Sequence, residues 1–470
     1  ASGIFYAAWN PPFVLLLAGS VGINYTFSVL IRRFAGRPKL QSATLAVAVA
    51  VNLLALVYFK YLFPLLGWLA SFGFYVPHAS DSVILPLGIS FFTFTQLGYL
   101  IDMRAGGIKE HGPLNYVLFV TFFPHLIAGP ILHHREMMPQ FARPETYRLS
   151  PDDVSAGLTL FVIGLAKKRF IADNISPMAN LAFAQPHGVA LPLAWLGALA
   201  YSLQIYFDFS GYSDMAIGLA RIFGIRFPLN FNSPYKAASI IDFWQRWHMT
   251  LTRYLTAYLY NPAVMWVTRR RLARGQAVSR AAVATPRGFV TMIALPMFYT
   301  MTLAGIWHGA GVQFLIFGLL HGAYLTTNHA WRVFRAPVAT KQGAASKPWI
   351  TTVVGVLLTY TGVLVAQVFF RAASVSDASQ ILAGMVGLHG MRPDEAVMNS
   401  LKTSSITAWV GRITICFFLA WAIPNSNEIL ARYERVSLPA AAQGLFYAAL
   451  ICLIVIGASG PPVQFLYFQF

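Results

Sequence analysis

The chain has 470 residues, 57% of them hydrophobic and only 11% charged, with a mean hydropathy of +0.59 and a net charge of +18. A soluble domain carries about 25% charged residues, and here apolar runs recur along the whole length, which excludes both a soluble protein and a soluble one with a single anchor. The excess of 34 basic over 16 acidic residues is assigned to topology rather than to nucleic-acid binding, because the basic clusters lie between apolar runs, as the positive-inside rule produces.

Only α-helices or a closed barrel satisfy the backbone in lipid. The runs do not alternate with period two, so the predicted fold is an all-α polytopic membrane protein with one membrane domain over 1–470. The opening "ASGIFYAAWNPPF" lacks the basic region and cleavable apolar core of a signal peptide. Apolar length then predicts about eleven spanning segments, at 12–31, 43–70, 83–102, 114–133, 155–172, 193–222, 289–307, 311–331, 349–370, 405–423 and 440–459. Basic joints at 32–39, 167–169, 269–287 and 332–347 mark cytoplasmic ends. The richest, 268–288, has six arginines and no acid.

Between 223 and 267 the pattern changes. The text is aromatic, mixed with polar groups and punctuated by Pro228, Pro234 and Pro262, too polar for a lipid-facing span. A helix is predicted over 238–260 with Ser239 as its N-cap and an i,i+4 pair between Asp242 and Arg246. Trp244, Trp247, His248 and Leu251 fall on one face, and Arg246 and Arg253 on another. This describes an amphipathic helix at the membrane interface or plugging the protein interior.

No Walker A, HExxH, Rossmann or GxSxG motif is present. Cys416 and Cys452 lie inside apolar runs and form no CxxC, so neither a disulfide framework nor a cysteine metal site is expected. "HGMRPD", His389 to Asp394, has the HxxxxD spacing of soluble-type glycerolipid acyltransferases, a weak signal in a chain with 11 histidines. His308 is stronger. It lies in "LAGIWHGAGVQFLIFGLLHG" beside Trp307 and small residues that permit close approach, and an ionisable side chain at membrane depth marks a functional site or a buried hydrogen bond. His248 is a second histidine flanked by tryptophans. His321, 13 residues after His308, points to the opposite face on helical phase and is read as packing. In "YFDFSGYSDMAIG", 206–218, Asp208, Ser210, Tyr212, Ser213 and Asp214 interrupt a spanning run, as residues facing a cavity or a partner do. Asp214 and Arg221 share a face and suit an internal pair.

Three stretches, "YFDFSGYSDMAIGLA" (206–220), "NFNSPYKAASIIDFWQRWHMTLTRYL" (230–255) and "GIWHGAGVQFLIFGLLHG" (305–322), resemble the membrane-bound O-acyltransferase (MBOAT) family, and within it the bacterial alginate O-acetyltransferase-like branch. "ILPLGISFFTF", "FFPHLIAGPI", "AKKRFIAD", "IPNSNEIL" and the tail "FLYFQF" match in the same order, so the resemblance runs over nearly the whole chain, with its core motifs in 206–322. One departure follows "YLTAYLYNP", where the six-arginine segment replaces a glycine-rich turn.

The resemblance implies a ring of spans and re-entrant helices around a central tunnel, in the inner membrane of a bacterium. It places the family's near-invariant histidine at His308 and its second polar position at His248, the expected catalytic pair. It implies acetyl-CoA as acyl donor, no metal, and transfer of the acetyl group across the membrane for O-acetylation of an extracytoplasmic polysaccharide through a periplasmic esterase-like acceptor protein. Trp244, Arg246, Trp247, Trp307, Asp208, Ser210 and Tyr212 are expected to bind substrate. Arg269, Arg270 and Arg271 are expected to hold the coenzyme A phosphates. Membrane lipids surround the domain. The alternative is a polytopic transporter or flippase of a lipid-linked or glycan substrate.

Overall fold

The computed structural model describes residues 2–75, 83–108, 110–335, 349–392, 405–434, 440–457 and 463–466. Asp394 of the HxxxxD spacing, most of the basic joint at 332–347 and residues 467–470 of the tail lie outside them.

The described regular structure is helical. Proline opens the helices that start at Pro12, Pro38, Pro113, Pro151 and Pro286, a first-turn position where its missing N–H costs nothing and its φ is already set. Arginines close two helices, with Arg32 and Arg33 in the last turn of Pro12–Arg33 and Arg332 and Arg335 in the last turn of Val312–Arg335. There they meet the negative helix end.

The eleven predicted segments fall on helices, fewer of which, among the described residues, are each long and apolar enough to cross a membrane. Among the described residues four helices are long and apolar enough to cross a membrane: Pro12–Arg33, Pro38–Ser71, Pro286–His308 and Trp349–Arg371. A pair bent by 55°, Ile406–Trp421 with Ser426–Tyr433, would make a fifth. The difference has local causes. The segment at 83–102 yields only the 16-residue helix Ile89–Arg104. The segment at 114–133 is broken into Pro113–Thr121 and Phe123–Leu126. The segment at 193–222 becomes the 32-residue helix Leu191–Ile222, whose Asp208 and Asp214 keep it at the centre of the protein rather than in lipid.

That central helix is buried along most of its length. Pro151–Ala166 packs antiparallel to it through glycines. A Cβ on Gly164 would lie 2.4 Å from the Gly211 carbonyl oxygen, and one on Gly157 would lie 2.6 Å from that of Gly218. Small residues let membrane helices approach at backbone distance and gain dispersion contacts where no hydrophobic force drives them together. Gly211→Val is therefore expected to cost about 1–3 kcal/mol by overpacking, read as a lower thermal midpoint of the detergent-solubilised protein. An unchanged midpoint would mean that the two helices can separate without loss.

Candidate active site

The segment predicted as one helix over 238–260 starts as expected. The Ser239 side chain caps it by accepting from the Asp242 N–H, and Arg246 Nε pairs with Asp242 Oδ1 at 2.7 Å. It then breaks. Ile240–Trp244 ends in a turn, and the chain resumes as Met249–Leu255 with His248 between them in the left-handed region, φ 42° and ψ 54°. A non-glycine residue there costs of order 1–3 kcal/mol and persists only where its surroundings fix it. Here they do. The Met249 N–H donates to the Asn230 carbonyl at 2.9 Å. Asn230 Oδ1 accepts from Thr250 Oγ1 at 2.8 Å and from the Thr250 N–H at 3.4 Å. Asn230 Nδ2 donates to Ser213 Oγ of the central helix at 3.0 Å, and Thr250 Oγ1 accepts from the Ile131 N–H at 2.9 Å. Three separate sequence motifs, around 131, 213 and 230, thus converge on the backbone at His248.

The same network assigns the His248 tautomer. Asn230 Oδ1 faces a backbone N–H, so it is an acceptor, and His248 Nδ1, 2.9 Å away, must carry the proton. Nε2 is left as the lone-pair nitrogen. His248 is fully buried.

His308 ends the helix Pro286–His308. The chain turns at 309–311 and returns as Val312–Arg335. The two arms touch at backbone distance, since a Cβ on Gly305 would meet the Phe314 carbonyl oxygen at 2.4 Å and one on Gly318 would meet that of Met301 at 2.4 Å. The last-turn carbonyls before His308 are taken by a π-turn of the neighbouring span, Tyr58–Leu62. The Lys60 ammonium donates to the Trp307 carbonyl, and the Tyr61 hydroxyl donates to the Ile306 carbonyl at 2.8 Å. A buried cation on a helix C-terminus satisfies orphan carbonyls and the dipole together, and it fixes the turn that carries the His308 ring. Phe370 and Phe317 meet that ring edge-on, with centroids at 5.0 and 5.8 Å.

His248, His308 and His321 line one internal cavity of about 30 Å³ together with Trp244, Trp247 and Leu251. This is room for about one water molecule. The face predicted from Trp244, Trp247, His248 and Leu251 is the face that bounds it, although the helix carrying them is interrupted. His321 lines the cavity too, so the expectation that it points away from His308 is corrected, while it also packs against Trp244 and Phe317. The phase count from His308 assumed one continuous helix, and the turn at 309–311 resets it. The indole N–H of Trp244 donates to His321 Nδ1 at 3.2 Å, so His321 carries its proton on Nε2. The cavity thus pairs an imidazole with a lone pair at Nε2 and one with a proton at Nε2. Gln367 joins from Trp349–Arg371 and donates to the Tyr235 hydroxyl at 3.2 Å.

The remaining predicted site residues lie elsewhere. Trp307 stands behind His308, stacked on Phe94 at 4.9 Å. Arg246 is held by Asp242. Asp208 is buried in an ion pair with Lys168, 2.6 Å from Nζ to Oδ1, and its Oδ2 accepts from the Leu466 N–H at 3.0 Å. Ser210 is buried on the same helix. Tyr212 packs on Phe465 and borders a separate apolar cavity. The acids of 206–218 are there to meet lysines, not the histidine cavity. Asp214 takes Lys167 at 2.7 Å and Ser426, while its expected partner Arg221 pairs with Asp153 at 3.1 Å and Glu434 at 2.6 Å. Arg269, Arg270 and Arg271 end the helix Asn261–Ala273. Arg269 and Arg270 are exposed, Arg270 lies over the Trp266 ring, and Arg271 bonds to Thr291 and the Ala277 carbonyl.

Several membrane-length helices and a buried cavity that three histidines line define a multi-pass membrane protein with titratable side chains in its interior. The chain belongs to the membrane-bound O-acyltransferase family, whose model matches residues 90–279. It is 35% identical to the peptidoglycan O-acetyltransferase of Helicobacter pylori, over all of this chain and 90% of that protein. It is 36% identical to the probable alginate O-acetylase of Pseudomonas aeruginosa, over 82% of this chain and 68% of that protein. The teichoic acid D-alanyltransferase of Bacillus subtilis is 30% identical over 60% of this chain and 68% of its own. The relatives thus modify polysaccharides or teichoic acid with small acyl groups.

Proposed function

We propose that the protein is a membrane O-acyltransferase that takes an acetyl group from cytosolic acetyl-CoA and passes it across the inner membrane for O-acetylation of an extracytoplasmic polysaccharide, through a periplasmic esterase-like acceptor protein. The observation that carries the reading is the joint placement of His248, His308 and His321 on one buried cavity. The O-acetyltransferase names of two relatives support the acetyl group.

In the proposed step an acceptor hydroxyl attacks the thioester carbonyl. His308 takes the hydroxyl proton as the new C–O bond forms, and returns it to the thiolate as the C–S bond breaks. A neutral imidazole suits both transfers. His248, with its lone pair at Nε2, accepts a hydrogen bond and orients a hydroxyl. The protonated Nε2 of His321 is the donor suited to the carbonyl oxygen as charge develops on it. The cavity must widen to admit the thioester. The arginines of 268–288 offer the coenzyme A phosphates a basic surface, with Arg269, Arg270, Arg274, Arg280 and Arg287 exposed.

The test is acetyl-CoA turnover by the purified full chain in detergent, with free coenzyme A measured with and without an acceptor protein or soluble glycan. Acceptor-dependent release is expected. Folded protein that turns over neither acetyl-CoA nor a longer acyl-CoA would sink the reading and return the transporter alternative.

A further inference from the structure

Outside the histidine cavity, the fold gathers a second cluster of metal-type side chains that the proposed reaction does not use. Asp102 sits in the last turn of Ile89–Arg104, His133 and His134 begin the helix His134–Phe141, and Tyr258 lies in the π-turn Thr256–Tyr260. Asp102 Oδ2 is 3.0 Å from His133 Nε2 and 3.6 Å from His134 Nδ1. The Tyr258 hydroxyl is 2.9 Å from Asp102 Oδ2 and 2.7 Å from His133 Nε2. One donor atom from each of Asp102, His133 and His134 lies within 4.8 Å of the others.

We propose that Asp102, His133 and His134 bind one divalent metal ion of the zinc class, with the Tyr258 hydroxyl beside the fourth position. The spacing fits. Ligand bonds of about 2.0–2.2 Å in a tetrahedron put neighbouring ligand atoms about 3.3–3.6 Å apart; the two carboxylate–imidazole separations, 3.0 and 3.6 Å, lie within a few tenths of an ångström of that, and the two imidazole nitrogens lie within 4.8 Å of each other. The donor set of two imidazoles and one carboxylate is the borderline set that zinc favours. His134 adds an independent sign. Its side chain is 4% exposed, and its Nε2 is buried without a hydrogen bond.

The contacts that compete are few. His133 Nδ1 accepts from the Arg135 N–H at a long 3.3 Å, and the Arg135 guanidinium, 58% exposed, is 4.0 Å from Asp102. The ion replaces the proton shared by His133, Tyr258 and Asp102, because ligands bind deprotonated. It pins the helix end at Asp102 to the segment after Ile131, whose N–H already bonds Thr250 beside His248. Tyr258 also starts an aromatic row. It packs on Tyr254 at 4.6 Å, Tyr254 stacks on Phe94 at 4.7 Å, and Phe94 stacks on Trp307 at 4.9 Å, next to His308. The ion thus clamps the far end of the wall that backs the histidine cavity. No motif in the sequence announces the site, since Asp102 and His133 are joined only by the fold.

The test strips the purified, tag-free full chain with EDTA, offers Zn²⁺ or Co²⁺ at micromolar concentration, removes the excess and counts metal by mass spectrometry. Wild type is expected to retain about one ion per chain, and Asp102→Asn/His134→Gln less than about a tenth of that. Co²⁺ should give the visible absorption of a four-coordinate site in wild type, and Zn²⁺ should raise the thermal midpoint of wild type alone. Failure of folded wild type to retain an ion overturns the proposal, as does equal retention by the double variant. Should the variant not fold, the wild-type count and the Co²⁺ spectrum decide alone. Neither depends on turnover of acyl-CoA.

Discussion

His308→Gln is expected to lower the kcat for acyl transfer by about 10²–10⁴-fold, the usual worth of a positioned general base, with little change in the KM for acetyl-CoA. Glutamine is the informative replacement. His308 is 5% exposed and its ring is packed against Phe317 and Phe370, so truncation to alanine would also open a hole and confuse lost chemistry with lost packing. Glutamine fills most of the volume and keeps a polar end, but it cannot take a proton. A fall in kcat at constant KM marks an interaction made in the transition state, whereas a rise in KM alone would mark a binding contact. A thermal midpoint equal to wild type must accompany the loss. Activity within about threefold of wild type would remove His308 as the base and leave His248, whose lone-pair nitrogen lines the same cavity, as the group to test next.

Much of this site was legible in the sequence because it rests on local pattern. The alternation of Trp244, Trp247, His248 and Leu251 on one face, the Ser239 cap and the Asp242–Arg246 pair each follow from spacing within a few residues, and each is present. What was not legible depends on partners far away in the chain. Nothing near His248 says that the helix must break there. The break is set by Asn230, which offers its carbonyl to the Met249 N–H and its side chain to Thr250 and His248. The direction of His321 was not legible for a related reason, because periodicity was carried across a turn that the Gly-Ala-Gly sequence at 309–311 makes. A run of small residues beside a histidine was the available signal for that turn. The place of each apolar segment has the same dependence. Apolar length cannot separate a helix in lipid from one surrounded by protein, and Leu191–Ile222 is of the second kind.

The acids of that central helix set up the second large effect. Lys168→Met is expected to destabilise the protein by about 3–5 kcal/mol, the cost of leaving a buried charge without its partner. Asp208 is 2% exposed and Lys168 4%, and Lys168 also reaches Asp173 Oδ1 at 2.9 Å, so its removal strands one carboxylate and weakens the hold on a second. Asp208→Asn in the same chain should restore most of the loss. The amide is neutral, and its oxygen can still accept from the Leu466 N–H, the bond that ties the tail to the centre of the protein. The coupling between the two substitutions, read from thermal midpoints or denaturant titration of the four proteins, should therefore be large; additive effects would mean that water reaches the pair. The double variant also separates two readings of the motif at 206–218. Read from sequence, Asp208 belongs to the substrate, whereas its place in the fold makes it a strut between Lys168 and the tail. A double variant that regains stability and keeps turnover is what a strut requires. Regained stability with lost turnover would put Asp208 back among the residues that meet the substrate.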